Sequence, residues 1–351
     1  MPRSETNVRV FASKDKSAKG DCAYVTIKGK WVRVPAVRVE DRTVVITGRW
    51  IRKAEVHEEE WLEAEPLQAP EAFLAKLRTL RPKADLFTFA QSVCNVERKH
   101  PYHMEWDNAA VVRTESFKKW WEKDLPQVTR KNVRRSQKRG VVVRPMVLGD
   151  ETVASIFKLY NSIEIKQGAQ FAHRGKDYET VKRELSTFAE RCEFIGAYHE
   201  DELIGFIKLV HMGKNAGIMH IVTRDRDYDK RPANALIAKA VENCEASGKS
   251  YLIYGKYAYG NKTSSPLTEY KRRSGFERIC FPRYYIPLNL KGKIVIKLGL
   301  HRGLLGLLPG SVINLLLRLR SWVLRHLTFR LRAVGEVRCP ISDNKAAKGT
   351  D

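Results

Sequence analysis

Three short stretches concentrate the side chains that could move a proton or hold a polar substrate. IEIKQGAQFAHRGKD, residues 163–177, carries Glu164, Lys166, Gln167, His173 and Lys176, with Phe171 among them and Gly168 and Gly175 as bends. An imidazole or carboxylate in such a loop can act as a general base once a substrate proton comes within hydrogen-bond reach. A solvated connector between two helices would read the same way. YGKYAYGN, residues 254–261, crowds Tyr254, Lys256, Tyr257 and Tyr259 into six positions, a pattern that aromatic packing edges also produce. HPYHMEWDN, residues 100–108, alternates His103, Glu105 and Asp107. On extended backbone those three share one face, as the polar lining of a cleft would.

Other chemistries find little support. There is no GxSxG elbow, and no cysteine has a recognisable histidine setting. The six cysteines, Cys22, Cys94, Cys192, Cys244, Cys280 and Cys339, contain no CxxC pair, so no metal is expected. They read as reduced thiols, which points to the cytoplasm. The start of the chain is polar, without the apolar core of a leader.

Against 40 acidic residues stand 64 lysines and arginines, a formal charge of +24. That excess implies an anionic partner. Part of it lies in TRKNVRRSQKRG, residues 129–140, whose basic side chains, Arg134 among them, cover about half a helix circumference. No base-reading motif accompanies the charge, which argues against sequence-specific DNA binding. From Asn289 to Gly335 no acidic residue occurs, and residues 311–332 place arginines on one arc and leucines with Trp322 on the other. A basic amphipathic helix of this kind lies in the surface of an anionic membrane.

The elements that must position these residues follow from periodicity. Residues 1–20 and 336–351 read as disordered tails. Between them, residues 21–139 form an α+β subdomain: strands AYVTIKG, KWVRVPAVRV and TVVITGRWI, an acidic helix at HEEEWLEAE, helix PEAFLAKLRTL and strand DLFTFAQ. HPYHMEWDN then leads as a loop into strand AAVVRT. Helix QVTRKNVRRSQKR ends at Gly140 in the C′ position. Residues 140–290 read β-α-α-β-β-β-α-β-α-β, and residues 291–335 form the basic amphipathic segment, in which KIVIKLGL is a last strand or a second interfacial piece.

That element order resembles the GNAT N-acetyltransferase fold, an α/β architecture. HEDELIGFIKLV resembles its β2–β3 hairpin, and MHIVTRDRDYDKRPANALIAKAVENCEASG resembles its fourth strand and the helix that caps an acyl-CoA pyrophosphate. NKTSSPLTEYKRRSGF resembles its last helix and Gly-Phe pair. RKNVRRSQKRGVVV, and the pattern of a truncated first half before a complete second one, is similar to the FemAB-type aminoacyltransferases. The resemblance implies a transferase that passes an acyl or aminoacyl group to an amino group of a cell-envelope glycan or peptide precursor. Its donor would be acetyl-CoA, another acyl-CoA or an aminoacyl-tRNA, held between splayed strands by Val222, Lys230, Arg231, Ala233, Asn234 and Ala235. The loop 163–177 would then face the acceptor, with His173 or Glu164 as base and Lys166, Gln167, Phe171 and Lys176 as lining. Tyr254 or Tyr257 would be the acid. His103, Glu105, Asp107, Arg134 and Lys256 would contact an anionic small molecule or a lipid-linked saccharide, and the location would be the inner face of the cytoplasmic membrane.

One departure matters. The pyrophosphate run Q/R-x-x-G-x-G/A has alanine at both glycine positions here, and Pro232 removes one N–H donor. The run therefore fits an aminoacyl-tRNA donor, or a GNAT-derived binding module without chemistry. A non-specific nucleic-acid binder is the third reading, resting on charge alone.

Overall fold

A computed structural model describes residues 22–27, 30–166, 169–259 and 265–302. The chain opens with β1 (Cys22–Ile27), β2 (Lys30–Val39), β3 (Arg42–Thr47) and β4 (Lys53–Val56), followed by α1 (Pro70–Thr79), β5 (Leu86–Ala90) and β6 (His103–Arg113). Next come α2 (Phe117–Lys119), α3 (Gln127–Lys138), β7 (Val142–Met146), α4 (Asp150–Asn161), the two-residue strands β8 (Ile165–Lys166) and β9 (Ala169–Gln170), and α5 (Tyr178–Leu185). Strands β10 (Cys192–His199), β11 (Glu202–Met212) and β12 (Asn215–Thr223) precede α6 (Pro232–Ala246) and β13 (Tyr251–Ile253). Helix α7 (Pro266–Arg273), β14 (Glu277–Pro287) and α8 (Leu290–Lys297) complete the described order.

Twelve of these strands form one sheet, in the order β1-β2-β3-β4-β5-β14-β6-β13-β12-β11-β10-β7. Its middle is the antiparallel pair β6–β14, in register from His103 opposite Tyr285 to Val111 opposite Glu277. On each side the same motif appears: an antiparallel meander, a helix, then a parallel strand. One copy is β2-β3-β4, α1, β5, and the other is β10-β11-β12, α6, β13. Both parallel pairs are short, Lys53–Glu55 with Leu86–Thr88 and Asn215–Gly217 with Tyr251–Ile253. Each copy has a further antiparallel strand at its outer edge, β1 on β2 and β7 on β10, and among the described residues only the second carries two helices, α4 and α5, between that strand and the meander.

The sequence explains the layering. Strand β11, ELIGFIKLVHM, is apolar almost throughout, as a strand covered on both faces must be. Ile207 and Leu209 join the core under α6, while Phe206 joins the core under α4 and α5. Helix α3 presents only Thr129, Val133 and Ser136 inward and leaves its arginines outside. Gly140 follows its end at φ +75°, with its N–H on the Gln137 carbonyl and the Val141 N–H on the Ser136 carbonyl, the paired bonds of a Schellman stop.

Several expectations need correction. HPYHMEWDN is a loop only as far as Tyr102, because His103 to Asn108 pair along β14 as the first half of β6. The acidic helix at HEEEWLEAE is a single 3-10 turn, Glu59–Trp61. Helix α5 stops at Leu185, where the buried Lys208 donates to the Leu185 and Thr187 carbonyls and takes over the helix end. KIVIKLGL is helical, as α8, capped by the Asn289 side chain on the Gly292 N–H. The amphipathic segment 311–332 lies outside the described residues.

Gly275 offers a direct test of packing under α7. Its φ is +77°, and an added Cβ would lie 2.6 Å from the buried Trp120 indole nitrogen. Left-handed backbone strain of about 1–2 kcal/mol and overpacking of about 1–3 kcal/mol should together lower the stability of Gly275→Ala by about 2–5 kcal/mol. Urea unfolding measures this, and an unshifted midpoint would contradict the packing described.

Candidate active site

Two features of β12 organise the site. Its ladder with β11 pairs His220 with Lys208 and Ile218 with Leu209, so Met219 is the extra residue of a bulge. On its other edge, β12 leaves β13 after Gly217. The chain beyond Ile253 turns to β6 instead: Tyr254 N–H donates to the Ala110 carbonyl, and Ala110 N–H to the Gly255 carbonyl. The strands part at the bulge, where Met219 stands out of the β11–β12 register.

Helix α6 covers one face of this split. On the opposite face lie two adjoining cavities, both walled by Glu60. The first, about 450 Å³, is bordered by His57, Trp61, His173, Glu184 and His220. The second, about 340 Å³, is bordered by Glu59, Asp107, Asn215, Lys256 and Arg283.

Around the first cavity, α5 sets a charged column. Asp177 caps the helix by accepting from the Thr180 N–H, and Lys208 fixes its other end. Glu184 thereby faces back toward the loop, where Lys176 donates to both its oxygens at 2.6 and 2.8 Å and His173 Nδ1 stands 3.6 Å away. His173 Nδ1 also meets Lys176 Nζ at 3.2 Å. Lys176 can only donate, so its contact at Nδ1 belongs to the tautomer with the proton on Nε2; Nε2 is free to accept a proton in the other tautomer, whose Nδ1–H faces Glu184. Burial would push the Glu184 carboxyl up, but its bonds to His173 and Lys176 outweigh that and hold it at about 2. The His220 ring lies 5.7 Å from that of His173. Burial, together with the nearby His173 and Lys208 charges, lowers its pKa to about 3, so it is a neutral imidazole at any physiological pH.

Around the second cavity, one arginine serves two carboxylates. Arg283 reaches Glu59 at 3.0 Å and Asp107 at 2.8 Å, and Lys256 adds a 2.8 Å contact to Asp107. Burial raises Asp107, yet Arg283 and Lys256 bring it below the usual carboxylate range. For Glu59 burial prevails over Arg283, and its pKa is raised. Neighbouring carboxyls whose environments push them apart are a common acid–base arrangement.

The structure brings together His173, Lys176, Asp107 and Lys256 as cavity walls. It places the other sequence candidates elsewhere. Glu164 is exposed and pairs with Arg174, away from both cavities. Lys166 ties the loop to the end of β12 through the Thr223 carbonyl and Asp225. Phe171 is buried behind His173, with ring centroids 5.3 Å apart. Gln167 lies outside the described residues. His103 and Glu105 share the face of Asp107 as expected but lie beyond the cavity, beside Tyr285 and His301. Arg134 stacks near Trp121 on α3. Val222 is buried in the core under α4 and α5. Tyr254 and Tyr257 pack against the core under α6, on the other side of the split.

At the first turn of α6, Lys230 is held by Asp227 at 3.0 Å, and Arg231, at φ +58°, lies 4.4 Å from the Tyr228 ring. The Asn234 and Ala235 N–H groups fold back on the Arg231 carbonyl. Ala233 contributes its carbonyl to a 3.5 Å contact with the Tyr270 hydroxyl.

Sequence reasoning missed four residues. His220 stood in the quoted fourth-strand stretch, and only the bulge makes it face the cavity side. Glu184 hid inside an ordinary helical pattern. Arg283 is brought to Glu59 and Asp107 by pairings that span the chain. Lys271, in α7, is fully buried, donates to the Lys256 carbonyl and lies 4.4 Å from the Tyr254 ring centroid, and burial lowers its pKa to about 8.

Comparison with known proteins follows this geometry. Residues 127–272 match a family model described as an acetyltransferase (GNAT) domain. The solved structure of FemX superposes with a TM-score of 0.52 at 9% identity, covering 79% of this chain and 90% of FemX. L-PGS from Bacillus licheniformis gives a TM-score of 0.49 at 12% identity over 78% of this chain and 89% of that one. A tandem GNAT protein from the clavulanic acid biosynthesis pathway gives 0.39 at 11%, over 71% and 79%. No curated protein matches the chain. At such identities the likeness speaks for the fold.

Glu184 gives the column a pH signature. Its folded pKa of about 2 lies below the ordinary 4.5, so the stability it contributes is present above 4.5 and is lost as pH falls toward 2. The shift corresponds to on the order of 3 kcal/mol. In Glu184→Gln the fall of unfolding free energy between pH 4.5 and 2 should be correspondingly shallower, and an unchanged slope would remove Glu184 from the column.

Proposed function

Residues 127–272 of this chain form a GNAT domain within a FemX-like sheet, and on that premise we propose that the protein is an N-acyltransferase acting on an amino group of a cell-envelope glycan or peptide precursor. The observation that carries the reading is the split between β12 and β13 at the Met219 bulge, with the His173 column on the face away from α6. A donor entering from the α6 side would bring its carbonyl to the bulge peptide, which stabilises the oxyanion. An amine in the cavities would lose its proton to His173 Nε2 in the tautomer whose Nδ1–H faces Glu184, with Lys176 bonded to both Glu184 oxygens. Neutral His220 would accept a hydrogen bond from the incoming amine. On the α6 side, Tyr254 stands against Lys271 and is the group best set to protonate the leaving atom.

The donor is an acyl-CoA or an aminoacyl-tRNA. The α6 turn favours the second, since its two cations and two of its amides are engaged within the protein, leaving little for a pyrophosphate. That same observation supports the alternative, a GNAT-fold binding module without turnover.

Attachment to an anionic membrane surface is part of the proposal. Leu290, Ile294 and Leu298 are exposed at helical spacing on α8, interleaved with Lys291, Lys293 and Lys297. Such a stripe suits the headgroup boundary. Among the described residues no helix is long and apolar enough to cross a membrane.

Two measurements test this. Purified protein is offered acyl-CoAs or charged tRNAs with amine-bearing envelope precursors, and acylated product is followed by mass spectrometry. Product should form, and His173→Ala should lower kcat by about 10²–10⁴-fold. Absence of product with every donor would leave the binding-module reading. For the membrane, the protein should sediment with phosphatidylglycerol vesicles, and Ile294→Glu should weaken this. Equal sedimentation with uncharged vesicles would remove the electrostatic part of the idea.

A further inference from the structure

At the end of the central ladder beyond Asp107, three side chains converge that lie far apart in the sequence. His103 and Glu105, two residues apart on β6, share one face of the strand. His301 arrives from the turn after α8, 196 residues beyond Glu105. Its Nε2 lies 2.7 Å from Glu105 Oε1, and His103 Nε2 lies 3.5 Å from the same oxygen. The three candidate ligand atoms all lie within 4.8 Å of one another. The imidazoles meet edge to face, with centroids 5.4 Å apart and planes at 85°. Tyr285, the ladder partner of His103, walls the group 4.6 Å from the His301 ring.

We propose that His103, Glu105 and His301 bind a divalent transition-metal ion, tying the turn that carries His301 to the central ladder. Two imidazoles and a carboxylate suit zinc and its first-row neighbours, whereas calcium and magnesium take oxygen shells. Metal–ligand bonds of about 2.0–2.2 Å in tetrahedral geometry set neighbouring donors about 3.3 Å apart. His103 and Glu105 already meet that spacing, and His301 and Glu105 reach it by opening about 0.6 Å. The His301 side chain is 1% exposed, and its Nδ1 has no hydrogen-bond partner. Burying an imidazole so incompletely bonded costs about 1–3 kcal/mol. A metal on Nε2 places the ring proton on Nδ1 and leaves that cost standing, so the metal bond has to outweigh both it and the hydrogen bond to Glu105. His103 is 42% exposed, which leaves an open side for a water as the fourth ligand. This inference is independent of acyl transfer, because none of the three residues lines either cavity.

The test is zinc titration of the chelator-treated full chain by calorimetry, with unfolding followed in parallel. One zinc should bind with a Kd of about 1 µM or tighter and raise the unfolding midpoint. His103→Ala, His301→Ala and Glu105→Gln should each weaken binding by about tenfold or more, and His199→Ala should leave it unchanged. Affinity should fall on acidification, because protons compete with the metal for its ligands. If His301→Ala does not fold, Glu105→Gln, close in size, decides the matter. No saturable binding by about 100 µM zinc, or equal affinity in all the variants, overturns the proposal.

Discussion

The antiparallel ladder between β6 and β14 is the constraint on which everything else rests. Nine consecutive pairs, from His103–Tyr285 to Val111–Glu277, join strands about 170 residues apart in the chain. Each strand then accepts the parallel strand of one half, β13 on β6 and β5 on β14. Two meander–helix–strand motifs thus become a single sheet, and neither has a free inner edge of the kind that invites aggregation. The ladder also fixes the site. β6 draws Tyr254 and Gly255 away from β12 through Ala110, and this pull opens the split at the bulge. Its next residues, Asp107 and Arg283, form the floor of the second cavity.

The electrostatics of the cleft run against those of the chain. The protein carries +24, yet its cavities are edged by Glu59, Glu60, Asp107 and Glu184. Isolated carboxylates would be neutralised by burial, since desolvation is the first effect on each of these that is shifted. Where two donors reach a carboxylate, Arg283 and Lys256 at Asp107 and Lys176 and His173 at Glu184, pairing prevails and the charge stays. Where only Arg283 reaches it, as at Glu59, burial prevails. Removing Arg283 would leave two buried carboxylates short of a partner, the kind of loss that costs about 3–5 kcal/mol. On the proposed function, acidic cavities within a positive surface would suit an amine carried by an anionic molecule.

Much of the fold was legible because it is written locally. The β-α-α-β-β-β-α-β-α-β order came from periodicity and punctuation, and Gly140 marked a helix end by its need for positive φ. Reading HPYHMEWDN as a loop failed beyond Tyr102 for an instructive reason. Its polar, His- and Pro-containing sequence lacks strand character, and only pairing with β14, far along the chain, makes His103 to Asn108 a strand. Side-chain roles were less legible still. Lys166 looked like a substrate contact and is a latch, while Phe171 looked like pocket lining and is core. His173 was visible as a residue type, but Glu184, which orients it, sits eleven positions on inside a helix whose pattern shows only amphipathicity.

The first turn of α6 shows how departures from a motif become physical. Alanines in place of glycines do not by themselves close a phosphate site, since a methyl group is small. The consequence comes from the neighbours. Pro232 has no N–H, Asp227 holds Lys230, and the Tyr228 ring holds Arg231 in left-handed backbone. The positive end of the helix dipole remains, worth only about 0.3–1 kcal/mol to an exposed anion. A donor that relied on this turn would lose most of its hydrogen bonds. A donor held elsewhere, by its own long polyanionic body against the basic arc of α3, would lose nothing. On the proposed function, the charge of TRKNVRRSQKRG and the engaged α6 turn would describe one arrangement, in which affinity for the donor has moved from a backbone cradle to a charged surface.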